Sequence, residues 1–146
     1  MTDATALSNG KATCLIPGVE VRRLRTNRQA SGELTALEED CNLGFPLRRV
    51  FYIRPASPES VRAEHASSDD MVMIALTGGV TVDVDNGHQK DAFRLEGTAE
   101  ALWIRPGVWV RLRNFVAGTV ILVASSREYA ETRHYDSPQP HLIPGI

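Results

Sequence analysis

The chain has 146 residues, 42% of them hydrophobic and 23% charged, the size and composition of one globular domain with a real core. A formal net charge of −2 and a pI near 6.1 leave no basic footprint for nucleic acid or an anionic membrane surface. No apolar run approaches the roughly 18 residues that a membrane-spanning helix needs, and the start of the chain lacks the apolar core of a secretion signal, so a cytoplasmic location is expected.

Residues 1–13 carry no periodicity and are expected to form a flexible lead-in, followed by one domain over 14–137 and an extended Pro-rich tail over 138–146. Cys14 and Cys41 stand in no metal-like spacing and read as reduced thiols. Apolar and charged residues alternate over 19–26, which predicts a half-exposed strand. Turn chemistry follows at 27–32. Residues 32–38 read as a second strand, although their Ala, Leu and Glu would also suit a helical turn, and 42–46 as a loop.

The run 47–54, rich in branched and aromatic side chains, predicts a strand that Pro55 and Pro58 end. A further strand is predicted over 60–66, and 71–77 is apolar enough to be buried on both faces. Val80, Val82 and Val84 alternate with Thr81 and Asp83, giving one dry and one wet face. Asp85-Asn86-Gly87 is a hairpin turn, since Asn and Gly tolerate positive φ. Short strands follow at 91–95, 101–104, 108–113 and 119–124, and 128–135 reads as a short helix or an edge strand. So many short strands, closely punctuated by turns, predict an all-β sandwich or barrel.

The stretch 60–114 carries a more specific signal. It opens with Val-Arg-Ala-Glu-His-Ala-Ser, ending at Ser67, and closes with Pro106, Gly107, Val110 and Asn114 at a recurrent spacing. This order resembles the two motif halves of a cupin, a double-stranded β-helix (jelly-roll barrel) with a pocket inside. Matching fragments extend the likeness to one cupin branch, the WxcM-like nucleotide-sugar 3,4-ketoisomerases. They include Gly32-Glu33-Leu34, Arg49 to Ile53, Arg62, His65-Ala66, Leu76-Thr77-Gly78, Val84 to Gly87, Val108-Trp109 and Tyr135-Asp136.

The resemblance implies a homodimer that isomerises a deoxythymidine-diphosphate-linked 4-keto-6-deoxy sugar without metal or cofactor. Its acid/base would be His65, assisted by Arg49 and Arg62. The chain departs from the family pattern where Ser67 replaces the second His of a His-x-His pair. It departs again where Val110 replaces the His that follows Trp109.

The unperturbed pKa of His65, about 6.5, suits proton transfer at neutral pH. Strand alternation puts Ala63, His65 and Ser67 on one face, with Arg62, Glu64 and Ala66 on the other. Glu64 is the rival carboxylate. Arg49 and Arg62 could clamp a phosphate or polarise a carbonyl.

The expected binding wall comprises Ser67, Phe51, Tyr52, Val110, Leu112 and Trp109, more apolar than the family pattern implies. Asp69 and Asp70 read as an exposed turn, and His88 as exposed. Tyr129 and His134 lie near the C-terminus with no sequence support as a lid. With only His65 left of the cupin ligand set, no metal is expected.

The function expected is a metal-free isomerase-like cupin with a degenerate site, acting on a small-molecule substrate. Two alternatives stand beside it: a cyclase or isomerase for an apolar, polyketide-type intermediate, and a non-catalytic binding cupin.

Overall fold

The structure, a computed structural model, describes residues 12–146, without the side chains of residues 40 and 41. The most apolar run, Met71–Thr77 (β7), lies inside a six-stranded antiparallel sheet. Its neighbours are Glu100–Ile104 (β10) and Val120–Ser125 (β12). Beyond β10 come Val19–Arg23 (β2) and Ala12–Ile16 (β1); beyond β12 the edge strand is Arg49–Ile53 (β5).

The second sheet has five strands in the order β13-β6-β11-β8-β9. They are His134–Tyr135 (β13), Arg62–Ser67 (β6), Trp109–Arg113 (β11), Gly79–Asp85 (β8) and Lys90–Glu96 (β9). A small hairpin, Asn27–Gln29 (β3) with Gly32–Leu34 (β4), stands apart from both. The two main sheets face each other as a double-stranded β-barrel of the cupin type. Among the described residues no helix is long and apolar enough to cross a membrane.

The valine alternation of β8 decides its orientation. Val80, Val82 and Val84 are buried against Leu102, Ile104 and Leu112, while Asp83 faces outward and binds Arg111 and Arg113. Gly78 turns the chain from β7 in one sheet to β8 in the other. It has φ 71°, and a Cβ there would lie 2.9 Å from Thr119 Cα.

β7 is buried on both faces because the six-stranded sheet is covered on its outer side too. Val72 and Ile74 pack there against Leu43, Phe45 and Trp103, away from the barrel interior that Met71 and Met73 face.

Several local expectations change. Residues 32–38 form a strand only to Leu34, and a single π-helical turn, Glu39–Leu43, stands where a loop was expected to begin. The buried Asn42 holds that turn: its Oδ1 accepts from Glu38 N at 2.9 Å and its Nδ2 donates to Ala36 O at 2.8 Å.

The segment 128–135 contains both predicted alternatives, a 3-10 turn at Tyr129–Glu131 and then the edge strand β13. At the hairpin, Gly87 takes positive φ, whereas Asn86 is buried and bonds through its side chain to Pro17 O.

The tail is not simply extended. It makes a 3-10 turn at Pro140–Leu142 and buries Ile143 in the core. At the other end, Ala12 and Thr13 already pair with Arg22 and Val21, so the strand starts inside the expected lead-in; residues 1–11 lie outside the described part. Cys14 is free and exposed, while the Cys41 thiol is outside the described side chains.

Candidate active site

Between the β5-β12-β7 half of one sheet and the β13-β6-β11 half of the other lies a cavity of about 500 Å³. Its apolar wall includes Ile53, Met71, Met73, Val110 and Val123. The rest is polar, with Arg49, Arg62, His65, Asp69, Ser125 and His134. The interior is therefore less dry than the sequence predicts. Leu112, expected in the binding wall with Val110, is sealed in the core at 0% exposure. Leu112 is not part of the cavity wall.

The backbone of β6 explains how its side chains are shared out. His65 pairs with Val110 and Ala63 with Arg111, which leaves Glu64 as the extra residue of a β-bulge. Ala63 and Glu64 have φ 69° and 60°, left-handed values that L-residues adopt at a cost. The bulge breaks the strict alternation, so Arg62 and Ala63 both border the cavity, together with His65 and Ser67. Glu64 is exposed and does not border it, so the structure withdraws it from the group around His65.

Trp109 is likewise displaced. It pairs with Ala66 and Asp85 on the outer side of β11, under the Arg111 guanidinium at 5.7 Å. Tyr52 borders the cavity but is 63% exposed, because its neighbours Phe51 and Ile53 take the inward positions of β5.

His65 is half-buried in the cavity wall, and its Nδ1 is shielded without a hydrogen-bond partner among the described residues. Burial lowers its pKa from 6.5, and the neighbouring His134 lowers it further. The two rings meet edge-on with centroids 4.6 Å apart. β13 brings His134 there by pairing it with Ser67. Arg49 lies over Phe51 at 4.3 Å and over Tyr129 at 4.9 Å, a cation stacked between two aromatic faces.

Asp69 is 2% exposed rather than part of an open turn. Its carboxylate accepts from Ser125 Oγ at 2.8 Å, Thr132 Oγ1 at 2.7 Å and Ser68 Oγ at 2.9 Å. Asp70 is also partly buried, paired with Arg105 at 2.8 Å. Among the described residues no three His, Cys, Asp or Glu side chains converge as a metal site would need.

Asp69, Ser125, Tyr129, Thr132 and His134 are thus cavity residues that the sequence analysis did not place in the site. Ser125 and Tyr129 lie in a region, 124–129, that shares in the resemblance, Thr132 and His134 in a segment of mixed helix and strand character, and Asp69 in what reads as a turn.

Comparison with known proteins places this arrangement. The family described as FdtA, WxcM-like, C-terminal matches residues 17–142. The TDP-4-oxo-6-deoxy-alpha-D-glucose-3,4-oxoisomerase of Aneurinibacillus thermoaerophilus is 34% identical over 115 residues, covering 76% of this chain and 83% of its own. The TDP-quinovose 3,4-ketoisomerase WlaRB from Campylobacter jejuni superposes with a TM-score of 0.80 at 27% identity, over 84% of this chain and 95% of that one. A double mutant of the 3,4-ketoisomerase QdtA from Thermoanaerobacterium thermosaccharolyticum, in complex with TDP, gives 0.78 at 26% identity, over 84% and 90% of the two chains. The chain belongs to the FdtA, WxcM-like family, and these relatives are isomerases of TDP-linked sugars.

Proposed function

We propose that this chain interconverts the 4-keto and 3-keto forms of a TDP-linked 6-deoxy sugar, with His65 as the acid/base. The supporting observation is the His65 imidazole in the cavity wall, its Nδ1 without a hydrogen-bond partner among the described residues and its pKa lowered by burial. Such a ring is neutral near pH 7 and ready to accept a proton. The hydrogen on the carbon beside a ketone is acidic, so a base there can take it and return it to the neighbouring carbon. The steps need no electron acceptor, and this reading assigns the reaction neither cofactor nor metal.

Arg49 and Arg62 border the same space, and among the described residues neither has a carboxylate partner. In this reading Arg62, which is exposed, holds the diphosphate, and the stacked Arg49 polarises the carbonyl. Ser67 and Val110, standing where the family pattern has histidines, make the site a reduced version of that pattern.

The apolar wall of Ile53, Met71, Met73 and Val123 favours a second reading, an isomerase or cyclase for an apolar natural-product intermediate. Binding separates the two. TDP at a hundredfold its Kd stabilises a binding protein by about 2.7 kcal/mol, a clear rise in melting temperature. The deciding experiment supplies TDP-4-keto-6-deoxyglucose in deuterated water and follows the sugar by proton NMR. The 3-keto product is expected. Neither product nor deuterium at the carbon next to the ketone, with no TDP shift, overturns the sugar-nucleotide reading; binding without turnover identifies a binding cupin.

The same reading takes the chain as a homodimer. The edge strand β5 shows Val50 and Tyr52 at 54% and 63% exposure, apolar surface that a second copy could cover. Sedimentation at twice 16.0 kDa is expected, and a monomer at micromolar concentration would refute it.

A further inference from the structure

Two imidazoles share the cavity, and they come from strands far apart in sequence. His65 lies on β6 and His134 on β13, opposite Ser67. Cross-strand neighbours in an antiparallel pair have side chains within contact distance, and the small Ser67 leaves its side of that space to the His134 ring. The hydroxyl of Ser67 is turned to Asp69 N, from which it accepts at 3.1 Å. The His134 ring meets His65 at 4.6 Å and borders the cavity. Among the described residues, Arg49, Tyr52, Arg62, Asp69 and Tyr129 are the other charged or titratable groups around this space.

We propose that His134 is a second catalytic acid/base, working as a pair with His65; this rests on the isomerase reading above. The reaction moves two kinds of proton, one on carbon and one on oxygen. His65 takes the hydrogen of C3 as a proton, and the electrons of that bond form the C3–C4 double bond. The C4 carbonyl oxygen takes a proton from His134, giving the enediol. In the second half His65 returns its proton to C4, while the C3 hydroxyl gives its proton to His134 as the C3 carbonyl forms. Each imidazole ends as it began, and the pair carries one extra proton throughout. Two rings in contact suit this division, since each disfavours a second charge beside it.

The test is His134→Gln, with His134→Phe as a second variant should the first unfold. The expected result is a kcat lower by about 100-fold or more with KM within about threefold. The basic limb of the kcat–pH profile is expected to disappear with the proton donor removed. A kcat above a third of wild type, or a basic limb left in place, overturns the assignment.

One readout does not depend on turnover. The NMR titration of His65 in the free protein moves to higher pH in the variant; an unchanged His65 titration overturns the pairing. If the wild type converts no sugar nucleotide, the isomerase reading fails by itself while this titration still decides whether the two rings are coupled.

Discussion

The Thr132 hydroxyl donates a 2.7 Å hydrogen bond to Asp69 Oδ2, which ties the segment leading into β13 to the end of β6. Ser125, on β12 of the opposite sheet, donates to the same oxygen at 2.8 Å. One buried carboxylate thus joins both walls of the cavity and holds the approach to His134.

Asp69→Ala is expected to lower the unfolding free energy by about 2–4 kcal/mol, because it leaves three hydroxyl donors without their charged acceptor. Urea denaturation checks this: the midpoint falls with m unchanged. Thr132→Val removes one donor and costs about 1 kcal/mol, yet its effect on turnover exceeds that of a distant change of equal stability. A midpoint for Asp69→Ala within experimental error of wild type would show that the carboxylate is no clamp.

His65→Asn keeps the shape of the ring's site and removes its basicity. A fall in kcat of about 10²–10⁴ is expected, with TDP binding retained in a thermal-shift assay. The pH dependence has a definite sign. The folded pKa of His65 lies below 6.5, so kcat/KM falls on the acid side with an inflection below that value. Stability follows the same direction. Below pH 6.5 the unfolded chain binds a proton that the folded ring refuses, so this contribution is lost as pH falls through 6.5 toward the folded pKa. His65→Asn flattens both dependences in that window, and an acid inflection that survives the substitution belongs to another group.

Much of this site was legible from residue pattern, and the rest was not for identifiable reasons. The β8 valines fixed which face is dry, and the motif around His65 placed that ring, Arg49, Ser67 and Val110 in one cavity. Arg62 was put on the face away from His65 because alternation assumes one residue per step, and a bulge at Glu64 adds one. Asp69 and Asp70 read as a turn since two adjacent carboxylates are usually solvated; their partners Ser125 and Arg105 are distant in sequence. His134 became visible only when β13 paired with β6, and no local periodicity encodes such a long-range pairing.

The bulge itself is testable. Glu64 holds φ 60° without glycine's freedom, and its side chain is exposed. Glu64→Gly is expected to stabilise the fold by about 1 kcal/mol, while Glu64→Val, β-branched at positive φ, destabilises it by about 1–2 kcal/mol. Chemical denaturation measures both. Destabilisation by the glycine variant would mean that the Glu64 side chain makes a contact that outweighs the strain.

The C-terminal turn offers the last check, since it closes the barrel rather than trailing from it. Gln139 N donates to Gly107 O at 2.8 Å, and Gly107 N donates to Ser67 O at 2.8 Å, so the tail reaches the site strand through one glycine. Gly107 has φ 89°, and a Cβ there would collide with Gln139 O. Ile143, 3% exposed, packs with Val108 over Gly18. Ile143→Ala removes buried methyl and methylene groups and is expected to cost about 2–5 kcal/mol. Gly107→Ala combines backbone strain with displacement of the tail, so it should cost at least about 2 kcal/mol and open 138–146 to proteolysis under native conditions. A truly extended tail would be cleaved as readily in wild type as in Gly107→Ala, and Ile143→Ala would then leave the melting temperature where it was.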